Sequence, residues 1–172
     1  LDLLSEPLFL RINSLIYLII YRLFIMAYKG KFKPKHRDKY KGNPTNIIYR
    51  SLWERRFMVY CDSNASIVKW SSEEIFIPYR SPFDKKIHKY YPDFWVKIKK
   101  HDGTFETSII EVKPKSQTIP PKPRLNKRKS GRYLLEMKRY GVNEAKWKAA
   151  TTFCEYKNWK FKIITEDQLL SK

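Results

Sequence analysis

The sequence is short of cysteine and of long uncharged runs, and each shortage excludes a class of protein. Its two cysteines are too few for a disulfide scaffold or a four-thiolate zinc site, and are typical of reduced thiols in an intracellular protein. In the apolar segment near the start of the chain, the longest uncharged run has ten residues, from Ile12 to Tyr21. A membrane-spanning helix needs about 20 apolar residues, and no small-residue site typical of signal-peptide cleavage follows. We therefore expect a protein that is neither secreted nor stably bound to a membrane.

Acidic residues are also scarce, because 36 Lys and Arg face only 17 Asp and Glu and leave a net charge of +19. The 42% of hydrophobic and 16% of aromatic residues argue against disorder, since a disordered chain lacks the apolar side chains that offset conformational entropy. The 172 residues are about the length of one domain. A folded basic domain of this kind indicates a polyanionic partner, and nucleic acid is the first candidate.

Most of the positive charge lies in two segments without apolar periodicity. Residues 29–41 hold seven Lys or Arg and one Asp, and residues 113–132 hold eight and no acid, so the two supply +14 of +19. Such segments are typical of mobile loops or arms. We divide this part of the chain into a basic arm over residues 26–44 and a domain over residues 45–172, with a basic loop at 114–132.

Residues 1–25 are different in kind, because they carry no net charge and are rich in Leu, Ile, Phe and Tyr. The first methionine, Met26, stands directly before the basic segment. We interpret this apolar leader as an upstream extension of the reading frame, with Met26 as the natural start. An apolar helix that packs on the domain or on a membrane surface is the alternative.

From residue 45 onward, the pattern predicts a mixed α/β domain. Asn43-Pro44 is typical of a helix start, which favours a first helix over about residues 47–61. Short strands, a strand pair, a long helix, a last strand and a short helix follow, over residues 68–70, 74–79, 91–99, 104–113, 134–156, 159–165 and 166–170. This order of a helix, a group of strands, a second helix and a last strand predicts a mixed sheet flanked by helices.

The strand pair carries the strongest chemical signal of the sequence. In its loop, His101-Asp102-Gly103, the glycine suits the positive φ of a three-residue hairpin turn, so that the numbers of paired residues sum to 204. This register places Asp93 opposite Glu111 on one face, with Lys113 one step further along. The other face receives an apolar set, which a slip of one residue would expose: Phe94, Val96, Ile98, Ile110 and Val112.

Directly opposed carboxylates destabilise a strand pair and raise each other's pKa. A divalent cation reverses the sign of that interaction, and Mg²⁺ commonly takes one or two carboxylates together with waters and phosphate oxygens. This juxtaposition favours a metal site on Asp93 and Glu111, for which a backbone phosphate is the natural substrate in so basic a protein. The alternative is a surface hairpin in which Asp93 ends a strand and Glu111 pairs with Lys113.

The segment YYPDFWVKIKKHDGTFETSIIEVKPK resembles the active-site hairpin of the PD-(D/E)XK nuclease superfamily, whose motif is matched by Pro92-Asp93 and Glu111-Val112-Lys113. The helix before it, with Ser51 and Glu54, resembles the first helix of the same superfamily. The αβββαβ order over about residues 45–165 is most similar to the TnsA-like branch. The resemblance implies an α/β fold with a restriction-endonuclease-like core and an Mg²⁺-dependent DNA endonuclease.

Each matched residue acquires a role from this resemblance. One or two Mg²⁺ ions, replaceable by Mn²⁺, would be held by a set of oxygen ligands: Asp93, Glu111, Glu54 and the backbone carbonyl of Val112. Lys113 would contact the attacking water. Glu54 also has a structural interpretation, because it stands three residues after Ser51 in the spacing of a capping box. We favour a helix that begins earlier, which leaves Glu54 free to face the hairpin.

The basic loop leaves Lys113 directly, so its side chains are expected beside the phosphate that is cut. Phosphate contacts position a protein on DNA without reading its sequence. The residues expected to make them are Lys115, Lys122, Arg124, Lys127, Arg128, Lys129 and Arg132.

From Met26 onward, the sequence also resembles a nuclease family of T-even-like tailed bacteriophages. This resemblance implies processing of DNA ends during head completion in the host cytoplasm, with portal and head-completion proteins as partners and the virion head as one destination. Two alternatives stay open: a non-catalytic DNA-binding protein of the virion, and a nuclease subunit of a transposition or restriction system.

Overall fold

The computed structural model describes residues 28–122 and 131–170; the leader predicted for residues 1–25 lies outside them. Its strands are β1 (Gly30–Phe32), β2 (Ile47–Tyr49), β3 (Ile67–Ser72), β4 (Ile77–Arg80), β5 (Ile87–Tyr90), β6 (Phe94–Lys99), β7 (Phe105–Val112) and β8 (Lys160–Ile164). Its α-helices are α1 (Leu52–Ser63), α2 (Gly131–Tyr156) and α3 (Glu166–Leu170). Within these ranges, no helix has both the length and the apolar character needed to cross a membrane.

A four-stranded mixed sheet in the order β3-β6-β7-β8 forms the centre of the domain. β6 pairs antiparallel with both β3 and β7, whereas β8 runs parallel to β7 after the crossover through α2. One face packs a core against α1, and the other packs against α2 and a separate hairpin of β4 and β5. The restriction-endonuclease-like α/β fold with a mixed central sheet is therefore confirmed.

The β6–β7 register is the one that the hairpin loop predicts. Phe94 pairs with Ile110 and Lys99 pairs with Phe105, and the backbone N–H of Lys100 donates to the Thr104 carbonyl at 2.8 Å. Gly103 has a φ of 82°, which only glycine adopts without strain. The predicted apolar face lies against the α1 side of the core, which excludes a slip by one residue.

The first helix begins at Leu52, so the start predicted near residue 47 was wrong. The Asn43 side chain folds an Asx turn by accepting the backbone N–H of Thr45 at 3.0 Å, and residues 47–49 then form β2. Ser51 is the N-cap, because its hydroxyl accepts the backbone N–H of Glu54 at 3.1 Å. The local turn chemistry of asparagine thus overrides the helix start that Asn-Pro favours.

The strand boundaries around the hairpin also differ from the prediction. The strand predicted over residues 91–99 begins only at Phe94, as β6, and a separate strand that was not predicted, β5, ends at Tyr90. Pro92 lies in the gap between these strands, because proline has no backbone N–H to donate to a neighbouring strand. β5 pairs with β4, which lies at residues 77–80 and not at 74–79. The gap thus places Tyr90 on a different strand from the one that follows Asp93.

Part of the basic arm is docked on the domain, contrary to the mobile segment that its composition predicts. The Asp62 carboxylate accepts the backbone N–H groups of Lys35 at 2.8 Å and His36 at 3.1 Å. The ammonium of Lys39 donates to the carbonyls of Asp62 at 2.9 Å and Asn64 at 2.7 Å. A cation beside the carboxyl end of a helix is favourable. These polar contacts hold the segment on the domain although its sequence shows no apolar periodicity.

Candidate active site

The predicted catalytic residues gather at one end of the β6–β7 pair. Asp93 immediately precedes β6. Glu111 is the second-to-last residue of β7, and Lys113 follows that strand. The Lys113 ammonium lies 2.9 Å from Oε1 of Glu111, and Oδ2 of Asp93 accepts the backbone N–H of Val112 at 2.7 Å. The backbone N–H of Lys113 donates to the Ile164 carbonyl at 3.0 Å, which ties this end to β8.

Burial makes this group of charges electrostatically costly. Glu111 is only 3% exposed. Burial raises the pKa of Asp93 well above its ordinary value, and the charge of Glu111 raises it further, whereas Lys113 opposes the shift. Burial by itself would lower the pKa of Lys113, but the charges of Asp93 and Glu111 outweigh it and raise that pKa. A cation between the carboxylates would relieve the repulsion that Lys113 relieves in part.

The donor set fits a hard divalent cation that completes its shell with water and substrate. Asp93 and Glu111 supply two carboxylates, and the Val112 carbonyl belongs to the same strand end. No group of three or more His, Cys, Asp or Glu side chains within residues 28–122 and 131–170 is placed to hold a metal ion. Mg²⁺ is well suited to such a partial set, because it usually keeps several waters and binds one or two carboxylates.

Glu54 is hydrogen-bonded at the start of α1 in the spacing of a capping box, so the prediction of a free mid-helix carboxylate was wrong. Its Oε1 accepts the Ser51 hydroxyl at 2.9 Å, and its Oε2 accepts the backbone N–H of Arg50 at 2.7 Å. Burial raises the pKa of Glu54. Those hydrogen bonds and the positive charge of Lys113 lower it in part. Glu54 therefore caps α1 and still contributes negative charge to the site.

Arg50 and Glu73 form an ion pair beside these residues, and the sequence did not predict this pair. The guanidinium donates to both Glu73 oxygens, at 3.0 Å from Nε and 2.7 Å from the terminal nitrogen. Glu73 directly follows β3 with a φ of 54°, and its backbone N–H donates to the Asp93 carbonyl at 3.3 Å. The hydrogen bond to Glu73 is the largest cause that raises the pKa of Arg50, and the charges of Glu54 and Asp93 raise it further. No local pattern marks this pair, since its members are 23 residues apart.

Tyr90 makes a second contact that the sequence did not indicate. Its hydroxyl donates to Oε2 of Glu111 at 2.5 Å, and the side chain is 3% exposed. Burial strongly raises the pKa of Tyr90, and the charge of Glu111 adds to the effect, so the hydroxyl keeps its proton. Proximity to Pro92-Asp93 was the one signal available, and it did not distinguish Tyr90 from its neighbour Tyr91.

The predicted DNA-binding residues of the basic loop are only partly described. The Lys115 ammonium pairs with Asp167 at 2.6 Å, and its backbone N–H donates to Glu166 at 2.8 Å, which ties the start of the loop to α3. Arg132 pairs with Glu136 at 3.0 Å in the first turns of α2. Lys122 is exposed. The remaining predicted contacts lie outside the described residues: Arg124, Lys127, Arg128 and Lys129.

Residues 64–166 match the TnsA-like endonuclease N-terminal family. The chain belongs to this family, which confirms the class that its sequence resembles. The matched residues include Asp93, Glu111 and Lys113, whereas Glu54 precedes them. The chain is also similar to the head completion nuclease of Enterobacteria phage T4, with 42% identity over 146 residues that cover 84% of this chain and 95% of that protein.

Proposed function

We propose that this protein is a metal-dependent DNA endonuclease that acts in phage head completion. The observation that carries the proposal is the carboxylate pair of the half-buried Asp93 and the buried Glu111 beside the Lys113 ammonium. Buried like charges cost folding free energy, so their presence in an endonuclease domain favours a catalytic role over a structural one. The particular reaction is hydrolysis of a DNA phosphodiester.

In this proposal, each side chain has a separate task. Asp93 and Glu111 hold Mg²⁺ or Mn²⁺, aided by the Val112 carbonyl, and Glu54 adds negative charge from the start of α1. When bound, the cation supplies Lewis-acid polarisation of the phosphate and lowers the pKa of a bound water. Lys113 keeps its proton beside these carboxylates and places positive charge where the phosphoryl oxygens become more negative. It also orients the attacking water by a hydrogen bond.

The basic loop is proposed to hold the DNA backbone next to these residues. It begins directly after Lys113, so its cations reach the phosphates that flank the cut. Lys115 and Arg132 are paired with Asp167 and Glu136, respectively. A phosphate must compete with these exposed pairs, which contribute little stability in water. Lys122 and the cations of residues 123–130 are therefore proposed to contribute more to binding.

Neutralising this loop is expected to weaken binding to all DNA sequences about equally. Replacing Lys122, Arg124, Lys127, Arg128 and Lys129 by Gln removes phosphate contacts, and each lost contact reduces the slope of log affinity against log salt by about 0.9. Fluorescence anisotropy with two unrelated duplexes over a range of salt concentrations measures both effects.

The double variant of Lys99 and Lys100 to Gln is the control, because these residues lie at the opposite end of the same hairpin. It is expected to change the slope less for each charge removed. A loss of affinity confined to one of the two duplexes would contradict backbone binding by the loop.

The biological setting is proposed from the similarity to the phage T4 head completion nuclease. The enzyme would process DNA ends before the head and tail join, in the host cytoplasm, with portal and head-completion proteins as partners. Incorporation into the virion head is part of the same proposal.

A supercoiled-plasmid nicking assay tests the activity. The protein is expected to convert supercoiled plasmid to open-circle and linear forms with Mg²⁺ or Mn²⁺, and EDTA is expected to stop the reaction. Tight DNA binding without nicking under any of these conditions would overturn the endonuclease and favour a non-catalytic DNA-binding role.

A further inference from the structure

Both oxygens of the Glu111 carboxylate have a partner in the folded chain. Oε1 lies 2.9 Å from the Lys113 ammonium, and Oε2 accepts the Tyr90 hydroxyl at 2.5 Å. These partners differ in kind, because one is a charged and partly exposed side chain and the other is a neutral side chain that is only 3% exposed. Tyr90 is the partner that solvent or substrate cannot displace without opening the core.

Tyr90 reaches the site from an element that carries none of the proposed catalytic residues. It ends β5, in the hairpin that packs on α2 and lies outside the central sheet. Its neighbours in this core are Ile77, Tyr79 and Ala150. The Lys146 ammonium of α2 lies 5.6 Å from the centre of the Tyr90 ring, within range of a cation–π interaction. The ring is thus held by packing on the β4–β5 hairpin and α2, neither of which carries a proposed catalytic residue.

We propose that Tyr90 is a positioning residue that orients the Glu111 carboxylate for cation binding. The inference rests on the proposed function and extends it to the β4–β5 hairpin. The O–H of Tyr90 holds Oε2 and so stops the carboxylate from rotating about its last bond. Oε1, which Lys113 contacts, is then left to bind the cation together with Asp93. A ligand that is fixed before the cation arrives loses less conformational freedom on binding, which is why outer partners tune metal sites.

The substitution Tyr90→Phe tests this role, because it removes one oxygen and keeps the buried ring. Tyr79→Phe is the matched control: Tyr79 lies in the same hairpin and core, and Lys146 lies 5.7 Å from its ring. Only Tyr90 of the two donates to Glu111 among the hydrogen bonds of the described residues. Both full-length variants are compared with the wild type by calorimetric titration with Mn²⁺ and by plasmid nicking at increasing Mg²⁺.

We expect Tyr90→Phe to weaken Mn²⁺ binding and to raise the half-saturating Mg²⁺ concentration by about 10- to 100-fold. Saturating Mg²⁺ is expected to restore much of the nicking rate, since the variant lacks orientation and not a ligand. Tyr79→Phe is expected to stay within about two-fold of the wild type in both measurements. Thermal melting of each variant sets the assay temperature well below unfolding.

Equal Mn²⁺ affinity and equal Mg²⁺ dependence in Tyr90→Phe and wild type would overturn the inference, even if the melting temperature fell, because the hydroxyl would then serve stability alone. An equal loss in Tyr79→Phe would overturn it as well. If the wild type binds Mn²⁺ and does not nick DNA, the proposed endonuclease fails while calorimetry still decides the role of Tyr90. If the wild type binds no Mn²⁺, both proposals fail.

Discussion

Replacing Asp93 by Asn or Glu111 by Gln is expected to lower Mg²⁺-dependent nicking by about 1,000-fold or more and to leave DNA binding intact. The expected loss reaches or exceeds the upper range for removing one preorganised transition-state contact, because each substitution also replaces a charged cation ligand by a neutral amide. Affinity is expected to persist because the proposed phosphate contacts lie in the basic loop. Plasmid nicking and fluorescence anisotropy measure the two properties on the same preparations.

The stability of Asp93→Asn is expected to change in the opposite direction to its activity. At neutral pH without metal, the burial of Asp93 beside Glu111 disfavours its charged form, which raises its pKa. The amide oxygen of Asn keeps an acceptor for the Val112 N–H while the repulsion disappears. We therefore expect an equal or higher melting temperature.

Asp102→Asn is the matched control for both measurements, because it removes a carboxylate from the turn of the same hairpin. It is expected to nick DNA at the wild-type rate. Full Mg²⁺-dependent nicking by both Asp93→Asn and Glu111→Gln would show that the active site lies elsewhere. A melting temperature of Asp93→Asn far below that of the wild type would contradict a strained carboxylate pair.

Trp70→Ala is expected to cost about 3–5 kcal/mol in the free energy of unfolding, within the range for a deleted buried aromatic side chain. Trp70 is fully buried, and its ring centre lies 5.9 Å from that of Phe32 and 4.8 Å from that of Tyr40. These two residues belong to the docked basic segment, so the cavity opens beneath it. For a chain of this length, the melting temperature is expected to fall by roughly 6–20 °C.

Urea denaturation measures the loss in the free energy of unfolding, and hydrogen exchange shows which part of the structure loses protection. The backbone N–H groups of Lys35 and His36, which donate to Asp62, are expected to exchange faster in Trp70→Ala. Phe105→Ala is the control, since this aromatic is 55% exposed and is expected to cost less than about 1 kcal/mol. Wild-type protection of those amides in a destabilised Trp70→Ala would contradict packing of the segment on Trp70.

The hairpin was predictable because its geometry depends on local rules. A glycine at the third loop position and a period of two along each strand determine which residues face each other, and burial of one apolar face excludes the other register. The juxtaposition of Asp93 with Glu111 and Lys113 follows from that register. The sequence offered two helix starts, Ser51-x-x-Glu54 and Asn43-Pro44, and so two positions for Glu54; only the first start is used.

The contacts that complete the site join segments that are distant in sequence. Tyr90 approaches Glu111 from 21 residues away and Arg50 approaches Glu73 from 23. No periodicity relates such pairs, because their distance depends on how the β4–β5 hairpin and the start of α1 pack around the sheet.

The sequence by itself determined the nuclease class, the mixed α/β order, the register of β6 with β7 and the carboxylate pair, because each depends on a motif or on neighbours along one hairpin. Only the tertiary structure decided that Glu54 caps α1, that part of the basic arm docks on the helix end, and that Tyr90 holds Glu111. Those outcomes depend on competition among hydrogen-bond partners, and the competitors meet only when the chain has folded.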